Sequence, residues 1–182
     1  MIDFSKYPPL VAQSDLPDGF TVDDEALRAA GDDVRGECGW HIAPRFDDTL
    51  WVDGDGSSLL TLPSLLLTEP TEITDANGAA ITGWSWSEIG QLTGSWPAGF
   101  RSVKVSVAHG LLVTPPNLVA VVVDMLRDRT TAAEGTSVSA VSLDGANVTF
   151  GNPYSPRGSS SNVGVRRELS DAYGHILRRY SL

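Results

Sequence analysis

The sequence predicts an α+β fold in which a small antiparallel β sandwich or barrel is carried by helices. Three observations lead there. Helical periodicity appears in three separated segments, 21–38, 115–131 and 163–182. Between the first two, residues 46–109 form a series of short alternating runs broken by turn residues. No long helical stretch lies between those runs, so the crossovers that a parallel sheet requires have nowhere to form.

Residues 1–20 read as an N-terminal arm. Its opening, "MIDFSKYPPL", lacks the basic-then-apolar order of a secretory leader. The chain has no apolar run of the roughly 18 residues that a membrane helix needs, so no membrane is expected and the chain is placed in a cytoplasm. The single cysteine, Cys38, agrees, since alone it cannot form an intrachain disulfide.

The first helix is "TVDDEALRAAGDDVRGECG". Thr21 or Asp23 caps it, and acids crowd the first turn, where the helix dipole favours them. Leu27, Ala30, Val34 and Cys38 fall on one face, and Gly39 ends the helix in a left-handed turn. Gly31 and Gly36 are out of place inside it, each costing about 1 kcal/mol against alanine.

The β region follows in "TLWVDG", "SSLLTLPS", "EPTEIT", "GWSWSE" and "FRSVKVSVAHG", separated by "DGDG", "DANG" and "GSWPAG". "DGDG" at 53–56 reads as a tight hairpin; it resembles a calcium loop, but no glutamate stands at the twelfth place. In "RSVKVSV" the valines 103, 105 and 107 face one way, and Ser102, Lys104 and Ser106 the other.

"TPPNLVAVVVDMLRDRTT" is the second helix, opening in prolines and closing in arginines. Leu118, Val122, Met125 and Leu126 make one stripe; Val119, Val121 and Val123 widen it almost around the helix. Such a helix is buried on most sides, by its own domain or by a neighbouring subunit as well. A hairpin at 137–150, turning at Asp144 and Gly145, and a flexible linker at 151–162 come next. In the last segment Leu169, Ala172, Tyr173, Ile176, Leu177 and Tyr180 trace an amphipathic stripe. It either folds back on its own domain or enters another protein's groove, and the loose tether favours the groove.

The net charge is −10 and unevenly spread. Residues 1–100 hold 4 Lys+Arg against 17 Asp+Glu, a balance of −13, whereas 101–182 hold 9 against 6, a balance of +3. That acidity argues against gripping nucleic acid through its phosphates. The arginines near the end, Arg166, Arg167, Arg178 and Arg179, suit a different partner.

Chemistry-bearing groups are few. Cys38 and His41 stand three apart, but zinc needs four ligands, or three and a water, and His109 and His175 are the only other histidines. Cys38 lies on the apolar face of its helix, where a thiol is inert. Only Lys6 and Lys104 supply lysine, and no phosphate-cradling loop occurs. Trp84 and Trp86 share a sheet face that could stack sugars, although core or subunit contact is the commoner use. No cofactor, metal or catalytic residue is expected.

The order of "CGWHIAP", "LTLPSLLLTEPTEIT", "WPAGFRSVKVSVAHG" and "PPNLVAVVVDML" resembles the head-to-tail connector (adaptor, or head-completion) proteins of long-tailed bacteriophages, the actinobacteriophage type in particular. The similarity runs from about Asp23 to Phe150, and the arginine-rich last helix suits the family. The resemblance implies a helical connector core at 21–150 with the β region inserted between its helices, and no catalytic residues. It implies a structural virion protein at the head–tail junction, assembled in the host cytoplasm as a ring of about twelve subunits. The ring would sit between the portal and the next neck protein or tail terminator, with double-stranded DNA passing through its lumen unbound.

Site expectations follow from that reading. Val119, Val123, Trp84 and Trp86 are expected at the subunit interface. Acids of residues 23–88 are expected on the lumen wall, where they repel phosphate. The helix 163–182 is expected to dock on the portal through Leu169, Tyr173, Ile176, Leu177 and Tyr180, with Arg178 and Arg179 at the rim. Two rivals use other residues. A carbohydrate-binding module would expose Trp84, Trp86 or Trp96, and a small metal enzyme would join Cys38, His41 and His109.

Overall fold

The computed structural model of the protein describes residues 4–134, 141–143, 146–148 and 169–182. The expected linker 151–162, the expected turn at Asp144 and Gly145, and residues 163–168 of the expected last helix, with Arg166 and Arg167, lie outside the described residues. The chain is α+β. An extended arm with one 3-10 turn at Gln13–Asp15 leads into α1 (Asp24–Cys38). Six strands follow: β1 (Phe46–Gly54), β2 (Leu59–Thr61), β3 (Glu72–Asp75), β4 (Ser85–Ser87), β5 (Gln91–Thr93) and β6 (Gly99–His109). Then come α2 (Pro116–Glu134), the strands β7 (Val141–Leu143) and β8 (Ala146–Val148), and α3 (Leu169–Leu177).

Local chemistry sets the helix ends. The Asp23 carboxylate accepts hydrogen bonds from the backbone N–H of Glu25 and Ala26, at 3.0 and 3.2 Å, so α1 starts there and not at Thr21. Gly39 closes it at φ 83, its N–H donating to the Arg35 carbonyl. Gly31 is required by packing: a Cβ there would lie 2.9 Å from the Cβ of Leu10 in the arm.

The β region is two three-stranded antiparallel sheets, ordered β1-β6-β3 and β2-β5-β4, around one apolar cluster. Val103, Val105 and Val107 point into it, with Leu50 and Ile73 from their own sheet and Leu60 and Leu92 from the other. The expected "DGDG" hairpin is not one. β1 pairs with β6 and β2 with β5, so Asp53–Gly56 carries the chain from one sheet to the other. β7 and β8 pair antiparallel, Val141 opposite Val148 and Leu143 opposite Ala146.

The second cluster is helical. Leu27, Ala30, Val34 and Cys38 of α1 meet Leu118, Val121, Val122, Met125 and Leu126 of α2. Burying each such aliphatic side chain stabilises the fold by roughly 1.5–3 kcal/mol. The arm is part of this structure, with Phe4, Tyr7, Leu10 and Val11 all buried.

Two expectations are corrected here. The apolar face of the last helix is not offered to a portal groove. Leu177 is 1% exposed within the helical core, and Leu169, Tyr173, Ile176 and Tyr180 pack against the same cluster. The Tyr180 hydroxyl donates to the Asn117 side chain, the Tyr180 carbonyl accepts from the Trp40 indole, and the Leu182 N–H donates to the Cys38 carbonyl. A helix carrying such a stripe lowers its free energy by covering the nearest apolar surface, and that surface is α1 and α2 of its own chain. Likewise Val123, expected at a subunit contact, is already 4% exposed inside its own chain, so of the two valines Val119 is the one left partly open.

Candidate functional site

"CGWHIAP" forms the seam between the helical and β clusters. Cys38 packs at 1% exposure, and its thiol faces the Leu177 carbonyl at 3.8 Å. Burial pushes that thiol up to about 11, against an ordinary 9.0, so it is held as an unreactive thiol. Trp40 and Ile42 are buried, and the Ile42 carbonyl accepts from the Leu111 N–H at 2.7 Å, tying the end of the β region to the seam.

His41 turns away from Cys38 into a buried polar group that spacing alone did not reveal. Its ring stacks on Tyr7 at 4.3 Å between centroids and meets His109 edge-on at 5.2 Å. Its Nε2 lies 2.6 Å from the Pro44 carbonyl, and so carries the proton of the neutral ring. Burial, helped by the charge of Arg35 and by His109, holds His41 down to about 4. Asp48 is the anchor of the group. It accepts from Lys6 at 2.7 Å and from the Tyr7 hydroxyl at 2.8 Å, with His109 Nε2 3.4 Å from the same oxygen. At that distance the His109 contact is electrostatic, since neither of its ring nitrogens makes a hydrogen bond. Burial by itself would raise the Asp48 carboxyl. The His109 ring, the bonds from Lys6 and Tyr7 and the Lys6 charge outweigh it and hold the carboxyl well below the usual range. Burial first, then Asp48, push the Tyr7 hydroxyl well above its ordinary value.

Both histidines are 1% exposed, and the group meets solvent mainly through Lys6. It clamps the arm to β1 and β6. Arg35, fully buried, does the same from α1, donating to the Pro8 carbonyl at 2.7 Å, the Ala43 carbonyl at 2.6 Å and Asp32 at 3.1 Å. Arg28 adds bonds to the carbonyls of Phe4, Ser5 and Tyr7. Among the described residues, no three His, Cys, Asp or Glu side chains come together as metal ligands. Cys38, His41 and His109 therefore do not meet at one point. The sequence does hold one signal for Asp48: alternation along β1 places it on the same side as Leu50 and Val52, where a carboxylate demands a partner.

The tryptophans divide. Trp96 is 4% exposed, and Trp84 and Trp86 are half-buried against the β cluster, their indoles part of its wall. The more exposed aromatics are elsewhere. Phe100 is 91% exposed and Trp51 is 41% exposed. Between Val52↔Val103 and Gly54↔Gly99, one residue of β1, Asp53, is matched by three of β6, Phe100 to Ser102, so two extra residues bulge from the ladder. The bulge is firmly built. Arg101 sits at φ 47, a left-handed conformation that costs a non-glycine residue of order 1 kcal/mol or more. Its N–H donates to Asp53 at 2.6 Å, and its guanidinium stacks over Trp51 at 5.1 Å. The Ser102 hydroxyl accepts from the Gly54 N–H and donates to the Pro97 carbonyl. Gly54 is needed there, because a Cβ would lie 2.0 Å from that carbonyl. The result is a braced tip that carries an exposed phenyl ring, next in sequence to an arginine stacked on Trp51.

A search of protein-family models and of curated proteins finds no match to this chain.

Proposed function

We propose that the chain is a structural subunit of a phage head-to-tail connector, a ring between the portal and the next neck protein or tail terminator. The observation that carries this reading is the fate of two of the four stretches behind the resemblance. In "CGWHIAP", Cys38, Trp40, His41, Ile42 and Ala43 are all buried, and packing alone accounts for them. In "WPAGFRSVKVSVAHG", Trp96, the three valines and His109 are equally buried. What packing does not account for is Phe100 and Arg101, which the bulge turns outward at some cost in backbone strain. An outward phenyl ring on a braced bulge suits an assembly part, in which a neighbouring macromolecule would cover it.

The portal contact moves accordingly. The apolar side of α3 is engaged with its own domain, so the proposed portal-facing element is the exposed Arg178 and Arg179 at its end. Acids exposed on α1 and the β region, such as Asp33 and Glu72, are candidates for a lumen wall that lets DNA slide.

The test is electron microscopy of the purified chain mixed with the portal protein encoded in the same genome. The proposal expects a closed ring of density added to one face of the portal. Portal particles unchanged by an excess of the folded chain would refute it.

A further inference from the structure

We propose that Asn77 is a site of spontaneous modification, where the side-chain amide becomes a carboxylate through a cyclic imide closed by the backbone nitrogen of Gly78. The two residues stand at the tip of "DANG", the turn that follows β3, and Ala76 to Ala80 are all exposed. Gly78 sits at φ 86, a left-handed conformation that favours glycine, so the shape of the turn itself places glycine after Asn77.

Ring closure needs an unobstructed nitrogen on the residue after the asparagine. Gly78 has no side chain, and nothing lies within 4 Å of where a Cβ would stand. The other asparagines lack this arrangement. Asn117, Asn147 and Asn162 precede Leu118, Val148 and Val163, whose branched side chains crowd the nitrogen, and Asn152 precedes Pro153, which has no N–H. Asn117 is held besides, its side-chain oxygen accepting from the Tyr180 hydroxyl. The turn around Asn77 acts as a brake. The Gly78 N–H donates to the Asp75 carbonyl at 3.0 Å, and the Asp75 carboxylate accepts from the N–H groups of Asn77 and Ala79, both at 2.8 Å. These bonds lie at the surface with little apolar cover, so the local opening that frees the nitrogen costs little.

In the first step the Gly78 nitrogen bonds to the side-chain carbonyl carbon of Asn77. The amide nitrogen leaves as ammonia, taking the proton that Gly78 gives up. Water then opens the imide. Attack at the side-chain carbonyl gives aspartate, and attack at the main-chain carbonyl gives isoaspartate, whose backbone runs through the side-chain methylene. Water enters, ammonia leaves, and nothing is oxidised or reduced. Either product sets a second carboxylate beside Asp75. Isoaspartate also lengthens the chain inside a turn closed by the Asp75 N–H on the Ala79 carbonyl at 2.9 Å. Just beyond, the Ile81 N–H donates to the Ile73 carbonyl and Ile81 packs on the β cluster, so modification loosens that edge of the sheet. Nothing in this chemistry depends on the connector reading.

The test is prolonged incubation of the full chain at pH 6 and pH 8, folded and in urea, followed by peptide mass mapping and by labelling with an isoaspartyl methyltransferase. Conversion of amide to acid is expected at Asn77 before any other asparagine, as both aspartate and isoaspartate, and faster at pH 8, where the attacking nitrogen loses its proton more readily. Asn77→Gln, whose imide would need a six-membered ring, is expected to lose the isoaspartate label. Conversion in urea with Asn77 intact in the folded chain would show that the turn blocks the step and would overturn the proposal. So would earlier conversion at another asparagine, or an undiminished label in Asn77→Gln.

Discussion

Replacing Arg35 by alanine is the sharpest test of how the arm is held. The guanidinium is fully buried and donates to the carbonyls of Pro8 and Ala43, at 2.7 and 2.6 Å, and to Asp32 at 3.1 Å. Hydrogen bonds from a charged donor contribute roughly 1.5–3 kcal/mol each, so the two carbonyl bonds together represent about 3–6 kcal/mol. Against this, alanine relieves the desolvation of a buried cation, which offsets part of the gain. Truncation also leaves two buried carbonyls without a donor, and the balance is a loss of about 2–4 kcal/mol. For a chain of this length that lowers the melting temperature by about 5–15 °C. Circular dichroism melts of wild type, Arg35→Ala and Arg35→Lys measure it. Lysine keeps the charge but lacks the planar fork that reaches two carbonyls, so it recovers only part of the loss. Proteolysis of residues 4–9 should accelerate in parallel. A melting temperature within about 2 °C of wild type, with the arm still protected, would show that desolvation cancels the bonds and refute the reasoning.

Acid should destabilise the chain in two stages. His41 has an ordinary value of 6.5 and is held to about 4 when folded, so the unfolded chain takes up a proton that the folded chain refuses. Its contribution is complete above about pH 6.5 and is lost as pH falls towards 4, up to about 3 kcal/mol; Asp48, also held low, extends the loss below that. Urea titrations at pH 7, 5.5 and 4.5 read this, and equal stabilities would contradict it. Cys38, raised to about 11 by burial, should resist a thiol reagent at pH 8 in the native chain and react once unfolded. Leu177→Ala should cost about 2–5 kcal/mol and open Cys38 to the same reagent; wild-type stability would mean that α3 is not part of the core. Gly31→Ala gains helix propensity but drives a methyl to 2.9 Å from Leu10, so a net loss is expected, and a rise in melting temperature would show that the arm yields.

Periodicity made the helices and the β region legible, because burial of one face is what those patterns encode. Asp23, Gly39 and the three β6 valines stand where the pattern places them. What it could not encode was long-range partnership. The arm looks like a loop, yet Tyr7 reaches Asp48 and Leu10 reaches Gly31, contacts between segments that only the fold brings together. The stripe of α3 fits a partner's groove and its own core equally well by spacing, and proximity decides between them. The Phe100 bulge was hidden for the opposite reason. Alternation continued back from Val103 would turn Arg101 inward, and the two extra residues opposite β1 break that register.

The chain is proposed to be a structural subunit of a ring on the portal. Cryo-electron microscopy of the chain bound to its portal tests it most directly. The expected result is a closed ring on one face of the portal, each subunit keeping α3 on its own helical core. No ring at all would contradict the assembly, and a ring in which α3 has left that core for the portal would contradict the packing described above.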